Sequence, residues 1–294
     1  MPKKPVNTPY QILLFYIYDT LENPTELMKW QRTLCERLGL KGRVLISAEG
    51  MNATLEGETE KTEEYVKEMC KRPQFANIDF KRSEGTGTAF PKLQVKVKEE
   101  IVTTRFPGKD EVGPHKGVTG KYLSAEQLHD WIHNSDKEFY IVDMRNDYEY
   151  ESGHFAGSVL LKDFKTFRDL PNLMDQIDHL RHKTVVTVCT GGVRCEKASG
   201  FLIKHGFTDV YQLHNGIVTY MEAYPNEDFL GKLYVFDERV VMGFNIDSAD
   251  HVVIGKCRKC GKTSENYIDY VEDGHRKHGI VCEECITKGL AIPD

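Results

Sequence analysis

Thr184-Val185-Val186-Thr187-Val188-Cys189-Thr190-Gly191-Gly192-Val193-Arg194-Cys195-Glu196-Lys197 is the stretch on which the reading of this chain turns. Its first five residues are β-branched throughout, which predicts a short buried strand. Two adjacent glycines then allow a tight loop, and Cys195 to His205 has helical character. Such a loop turns successive backbone N–H groups inward, forming an anion-binding nest closed by a helix N-terminus. A thiol there is expected to ionise well below the free value of about 8.5. Arg194 adds a permanent positive charge on the same loop. Cys189 is therefore the candidate nucleophile, cradled by Thr190, Gly191, Gly192, Val193 and Arg194.

Loop length narrows the chemistry. Cysteine-dependent phosphatases use C-x5-R, a ring of amides sized for a tetrahedral phosphate. Here four residues separate Cys189 from Arg194, so the smaller ring suits a sulfur atom added to Cys189 or another small group. The spacing resembles the active loop of rhodanese sulfurtransferases. A second stretch agrees: Asp143-Met144-Arg145, Glu149-Tyr150 and Gly153-His154-Phe155-Ala156-Gly157-Ser158 resemble the rhodanese signature D-x-R-x3-E-Y-x2-G-H-I-x-G-A. Asp143 and Arg145 read as a charged pair tying a sheet edge to the next loop. His154 has the chemistry of a general base, but the resemblance implies a structural role.

At 294 residues the chain has length for two or three domains. Charged residues at 29% and aromatics at 10% are those of a globular protein rather than a disordered one. No apolar run reaches about 18 residues, so no membrane span is expected. The N-terminus (MPKKPVNTPY) lacks a signal-type apolar core. A cytoplasmic location is expected, and a reducing compartment suits chemistry built on free thiols.

The net charge of −6 argues against bulk electrostatic binding of nucleic acid but allows a local basic face. Lys81, Arg82, Lys92, Lys96 and Lys98 outnumber Asp79 and Glu84 in one segment, and Lys41 and Arg43 precede another predicted strand. A solvated strand edge would have the same composition.

The first hundred residues are α+β. Tyr10 to Tyr18 predicts a strand, and Asn23-Pro24-Thr25-Glu26 starts a helix with an N-cap, a proline and a capping-box glutamate. That helix is expected to stop at Gly39. Strands at 43–47 and 52–55, a helix at 60–70 and strands at 80–82 and 93–97 complete the order β-α-β-β-α-β, a ferredoxin-like split βαβ domain. Gly85-Thr86-Gly87 reads as a loop. Residues 108–120, with four glycines and a proline, are expected as a linker between domains 1–107 and 121–232. The second domain opens on a capping box at Ser124 and alternates strands and helices, with Cys189 at the carboxyl end of a strand.

The tail, 233–294, forms a small cysteine-rich region. Cys257-x2-Cys260 and Cys282-x2-Cys285 are separated by 21 residues, a spacing at which four thiolates can close tetrahedrally on Zn2+. Two disulfides are the alternative, which a reducing compartment disfavours. His275 and His278 are expected at the surface, and Cys35 and Cys70 as small core hydrophobes.

Taken together, an acylphosphatase-like N-terminal region, a central C-T-G-G-V-R-C-E-K-A-S loop and a cysteine-rich tail resemble the bacterial rhodanese-like tRNA uridine hydroxylases over about Tyr10 to Cys285. Matching stretches include 46–55, 89–93, 143–150 and Val235-Phe236-Asp237-Glu238-Arg239-Val240. The family commonly has E-G-G-I where this chain has His214-Asn215-Gly216-Ile217, and Ile-Asn-Gly where it has Met51-Asn52-Ala53. The resemblance implies a multidomain α+β fold with a central α/β rhodanese domain. It also implies C5 hydroxylation of a tRNA wobble uridine by molecular oxygen, with Cys189 catalytic. No flavin, nicotinamide or facial-triad iron motif is present. Cys195 is either a resolving thiol or an inert helix residue. RNA is expected on the split βαβ domain and its lysines, with Phe90 and Arg105 as stacking candidates. Plain sulfur transfer and a non-enzymatic scaffold are the rival functions. The sequence gives no oligomeric state, electron donor or tRNA set.

Overall fold

The computed structural model describes residues 7–293. The N-terminal stretch read above for a signal segment lies in part, at residues 1–6, outside the described residues. The chain divides between Thr119 and Gly120 into two compact units.

The first unit runs β1 (Tyr10–Tyr18), α1 (Pro24–Arg37), β2 (Lys41–Ser47), β3 (Gly50–Glu58), α2 (Thr59–Cys70), β4 (Lys81–Glu84) and β5 (Leu93–Val97). Asn23 caps α1 by accepting the Glu26 N–H at 3.1 Å, with Pro24 at the first helical position where no N–H is needed. The sheet order is β4-β1-β3-β2-β5, antiparallel except for the added edge strand β5, which runs parallel to β2. Residues from α1 and α2 bury Leu34 and Tyr65 against Phe15, Val44, Ile46 and Val95. This leaves the alternate residues Lys41, Arg43, Lys96 and Lys98 exposed.

Of residues 108–120, expected as a linker, all but Gly120 belong to this unit. Short 3₁₀ turns at Lys109–Glu111 and Pro114–Lys116 fold the segment, a Gly113–Val118 bridge closes it, and Val112 is buried. Cys35 is buried as expected, whereas Cys70, at the last turn of α2, is exposed. Gly85-Thr86-Gly87 is a loop whose amides are already engaged: Thr86, Gly87 and Ala89 donate N–H to the buried Glu56 carboxylate at 2.7–2.8 Å.

The second unit begins with β6 (Lys121–Leu123), α3 (Ala125–Asn134), β7 (Phe139–Asp143), α4 (Asp147–Ser152), β8 (Gly153–Phe155) and β9 (Val159–Leu160). It continues with β10 (Thr184–Val188), α5 (Val193–Lys204), β11 (Asp209–Leu213) and α6 (Gly216–Ala223). The capping box at Ser124 forms as read, with reciprocal bonds to Gln127 of 3.2 and 3.0 Å. The sheet is parallel throughout, in the order β6-β11-β10-β7-β9. Strand β10 is central and buried on both faces, which is why it reads as an unbroken β-branched run.

The cysteine-rich tail is packed into this same unit. Strand β12 (Phe229–Gly231) pairs with β8, and β13 (Leu233–Tyr234) and β14 (Val241–Met242) form a short antiparallel pair. A three-stranded sheet follows, from β15 (Tyr267–Glu272), β16 (His275–Ile280) and β17 (Ile292–Pro293), with α7 (Glu283–Thr287) before β17. Among the described residues no helix is long and apolar enough to cross a membrane.

Candidate active site

Cys189 follows the last residue of β10 and is fully buried. The chain reverses through Gly191 and Gly192. Gly192 sits at φ +99°, a left-handed conformation that glycine adopts without a Cβ penalty, and caps α5. Helix α5 therefore starts at Val193, two residues earlier than the sequence indicates, so the amides of its first turn face the sulfur. The Gly192 N–H lies 3.3 Å from Cys189 Sγ.

Burial alone would push the Cys189 thiol up. Against it act a hydrogen bond from the Cys195 thiol, the Arg194 charge and the backbone N–H groups of Cys195 and Arg194, and together they hold Cys189 down to about 6. Cys195 is driven the other way by burial and by the neighbouring Cys189 sulfur. The pair divides one proton, with the anion on Cys189.

Arg194 is not a free fork over the loop. Its guanidinium makes a two-pronged ion pair with the wholly buried Glu149 carboxylate, at 2.6 and 2.8 Å, and reaches Thr190 Oγ1 at 3.3 Å. Glu149 also closes the N-terminus of α4 by accepting the Asn146 N–H at 3.0 Å. The sequence flagged Glu149 only as a letter in the D-x-R-x3-E spacing; its pairing with Arg194, 45 residues later, needs the fold.

The 214–217 turn seals the other side of the loop. Ile217 and Val218 donate N–H to the carbonyls of Cys189 and Thr190, at 2.9 and 3.1 Å. A Cβ on Gly216 would lie 2.6 Å from Cys189 O and from Gly192 N, so only glycine allows this approach. Asn215, where the family commonly has glycine, adopts φ +64°. Asparagine tolerates that conformation, so the departure keeps the backbone.

Asp143 and Arg145 are both fully buried and paired at 2.6 Å, with Arg145 also donating to Gly153 O at 2.7 Å. They join β7, an inner strand rather than the sheet edge, to the start of β8. His154 stacks on Tyr150 and its Nδ1 lies 3.0 Å from Tyr150 O. Burial lowers its basicity. These contacts are those of packing groups.

In the tail, Cys257, Cys260, Cys282 and Cys285 are free thiols with all four sulfurs within 4.8 Å of one another. Cys260 Sγ and Cys282 Sγ are 3.6 Å apart, near the ~3.8 Å edge of a tetrahedron with metal–sulfur bonds of about 2.3 Å. Cys257 also accepts N–H bonds from Lys259 and Cys282 at 3.4 and 3.3 Å. The set fits a tetrahedral metal ion. His278 is no ligand: it contacts Tyr234 Oη at 2.8 Å and pairs with Asp269.

The expected basic face is corrected in part. Lys81 is buried, its ammonium 5.0 Å over the Tyr16 ring, and Arg82 is locked to Glu63 at 2.7 and 3.0 Å. Both lie on β4, paired to β1, so neither is available to a polyanion. Lys92, Lys96 and Lys98 are exposed. Phe90 is buried with Ile12 and Ala89 and has no face to stack on, whereas Arg105 is exposed at φ +55°.

Three family models match the chain in turn: a UPF0176 acylphosphatase-like domain over residues 10–101, a rhodanese-like domain over 124–223 and a rhodanese C-terminal region over 230–292. The chain is 41% identical over 288 residues to a tRNA uridine(34) hydroxylase of Bacillus cytotoxicus, covering 97% of this chain and 86% of that one. A protein of the same name from Bacillus mycoides is 40% identical over 285 residues, covering 96% and 87%. Among solved structures, a rhodanese-like domain protein from Staphylococcus aureus aligns with 34% of this chain and 90% of its own, at 24% identity and a TM-score of 0.30. With that identity along nearly its whole length, and a rhodanese loop whose thiol is held as a thiolate, the chain belongs to the tRNA uridine(34) hydroxylase family.

Proposed function

We propose that this protein hydroxylates the wobble uridine of tRNA at C5, with Cys189 as the catalytic residue and molecular oxygen as co-substrate. The single observation that carries the reading is the Cys189 sulfur itself: held to about 6 by its neighbours, in a chain similar along 97% of its length to a tRNA uridine(34) hydroxylase. A thiolate is the nucleophile that uracil chemistry needs. Its attack on C6 forms an S–C6 bond and moves the electron pair of the C5–C6 double bond onto C5, conjugated with the C4 carbonyl. Electron-rich C5 then accepts one oxygen atom. Loss of the C5 proton and of sulfur from C6 restores the ring. The second oxygen atom leaves as water, which takes two electrons and two protons from a thiol reductant that becomes a disulfide. The hydrogen bond between Cys195 and Cys189 supports Cys195 as one thiol of such a pair.

The tail cluster is proposed to hold Zn2+ as a structural ion, because four thiolates complete a tetrahedral shell and leave no open position. Exposed Lys92, Lys96 and Lys98, with Lys41 and Arg43 on the neighbouring strand, are proposed to meet the RNA backbone. The reactive thiols and the tRNA substrate suit the reducing cytoplasm.

The test is a deletion strain carrying the wild-type gene and grown under 18O2, with its tRNA nucleosides analysed by mass spectrometry. The reading expects 5-hydroxyuridine heavier by one labelled oxygen. Label drawn from water, or no such nucleoside, overturns it. In the latter case sulfane-sulfur transfer by the same loop becomes the better account.

A further inference from the structure

The stretch Val235 to Val240 follows β13, lies outside the Cys189 loop and is braced by its own bonds. Val235 donates N–H to Val240 O at 2.8 Å, and Val240 donates to Asp237 O at 2.9 Å. Inside the turn, Arg239 grips the buried Asp237 carboxylate with two bonds of 2.8 Å. Six residues are thereby fixed, with Phe236 and Glu238 facing outward. The apolar one, Phe236, is 47% exposed although it is among the largest apolar groups of the chain.

Its position accounts for the bracing. The Arg194 guanidinium lies over the Phe236 ring at 5.9 Å, within cation–π range, and the Tyr234 ring meets it edge-on at 5.2 Å. Phe236 therefore stands directly beyond the arginine of the Cys189 loop, with the rest of its ring in solvent. A lone exposed aromatic is ordinary. This one is held by a doubly bonded turn against the arginine of the active loop, where it keeps ring surface in solvent that burial would have used for stability.

We propose that Phe236 is the platform on which the target pyrimidine stacks as it enters the Cys189 loop. The proposal rests on the tRNA reading above. A base must leave its own stack to reach an enzyme-bound nucleophile, and an aromatic face replaces the stacking it gives up. Phe236 carries no hydrogen-bonding group, so it would hold the ring without choosing between uracil and cytosine; that choice falls to the polar groups of the loop. Of the two stacking candidates read from sequence, Phe90 and Arg105, the aromatic one is buried, and Phe236 is proposed in its place.

The experiment compares Phe236→Ala, Phe236→Leu and Phe236→Tyr in the deletion strain, reading 5-hydroxyuridine per tRNA at limiting expression. In parallel, the purified proteins are alkylated with iodoacetamide at pH 7 and the Cys189 peptide is followed by mass spectrometry. Loss of a stacked base predicts a fall of about 5- to 150-fold for alanine. Leucine, which keeps apolar bulk without a π face, should fall with alanine, while tyrosine should retain product. Cys189 alkylation should stay within twofold in all three. If wild type makes the nucleoside and both alanine and leucine variants match it, the stacking role is wrong and the tRNA reading stands. If alkylation falls together with product, Phe236 merely supports the loop and the proposal is overturned. If wild type itself makes no 5-hydroxyuridine, the tRNA reading fails first, and the stacking role falls with it.

Discussion

Glu149→Gln should destabilise the second unit while leaving the Cys189 thiolate in place. The Glu149 carboxylate is wholly buried, and its two oxygens meet Arg194 at 2.6 and 2.8 Å. Glutamine has nearly the same shape and keeps one acceptor, but it turns an NH2 donor toward a guanidinium that has only donors. Arg194, itself nearly buried, is then left as an uncompensated charge. Breaking a buried pair in this way costs about 3–5 kcal/mol. For a unit of this size each kcal/mol corresponds to about 2–4 °C, so its Tm should fall by about 10 °C. The control is Glu151→Gln, two residues on, whose pair with Arg258 at 2.8 Å is largely exposed; pairs of that kind contribute about 1 kcal/mol or less. The thiolate should survive the first change, because Arg194 keeps its charge and loses the anion that offsets it. Calorimetry would follow unfolding, and iodoacetamide alkylation would follow Cys189. A Tm shift under about 2 °C for Glu149→Gln, or equal shifts for both variants, would refute the reasoning.

Three further outcomes follow from the same geometry. Alkylation of Cys189 in the native protein should rise with a midpoint near pH 6 rather than near the free-thiol value of about 8.5. Because the folded value lies below the unfolded one, the associated stability is fully present above about pH 8.5 and is lost as pH falls through 6; an alkylation midpoint above 8 would contradict this. Gly216→Ala should collapse the thiolate, since its Cβ would strike Cys189 O and Gly192 N at 2.6 Å and φ is +75°; at least a tenfold slower alkylation at pH 7 is expected, and a wild-type rate would show that the turn does not support the loop. Lys96→Glu with Lys98→Glu should weaken tRNA binding and flatten its salt dependence by about two phosphate contacts, whereas Lys81→Gln should leave the salt slope unchanged; filter binding across a salt series distinguishes them.

Much of the local structure was legible because local chemistry sets it. Asn23 and Ser124 announced their helices through caps that need only three or four residues. The Thr184–Val188 strand was legible for a different reason: a central parallel strand is apolar on both faces and shows as one run. The Cys189 nest followed from the adjacent glycines, although the helix began two residues earlier because Gly192 serves as its cap. What was not legible depends on pairing across long separations. Lys81 and Arg82 look like a basic face until β4 pairs with β1, which buries the first beside Tyr16 and joins the second to Glu63. Glu149 and Arg194 meet only when α4 and the β10–α5 turn are brought together. The linker composition of residues 108–120 was real, but no local rule predicts that Val112 is buried. In the sequence Phe236 is one letter of the Val235–Val240 stretch, and its nearness to Arg194 belongs to the fold.

The central claim is that the Cys189 sulfur performs the chemistry, and the most direct test removes that sulfur alone. Cys189→Ser and Cys195→Ser would each be returned to a deletion strain at matched expression. Anticodon fragments of the tRNA would then be digested and analysed by mass spectrometry at the wobble position. The account predicts full 5-hydroxyuridine with wild type, none with Cys189→Ser and a reduced amount with Cys195→Ser. Undiminished product from the Cys189→Ser protein would contradict it.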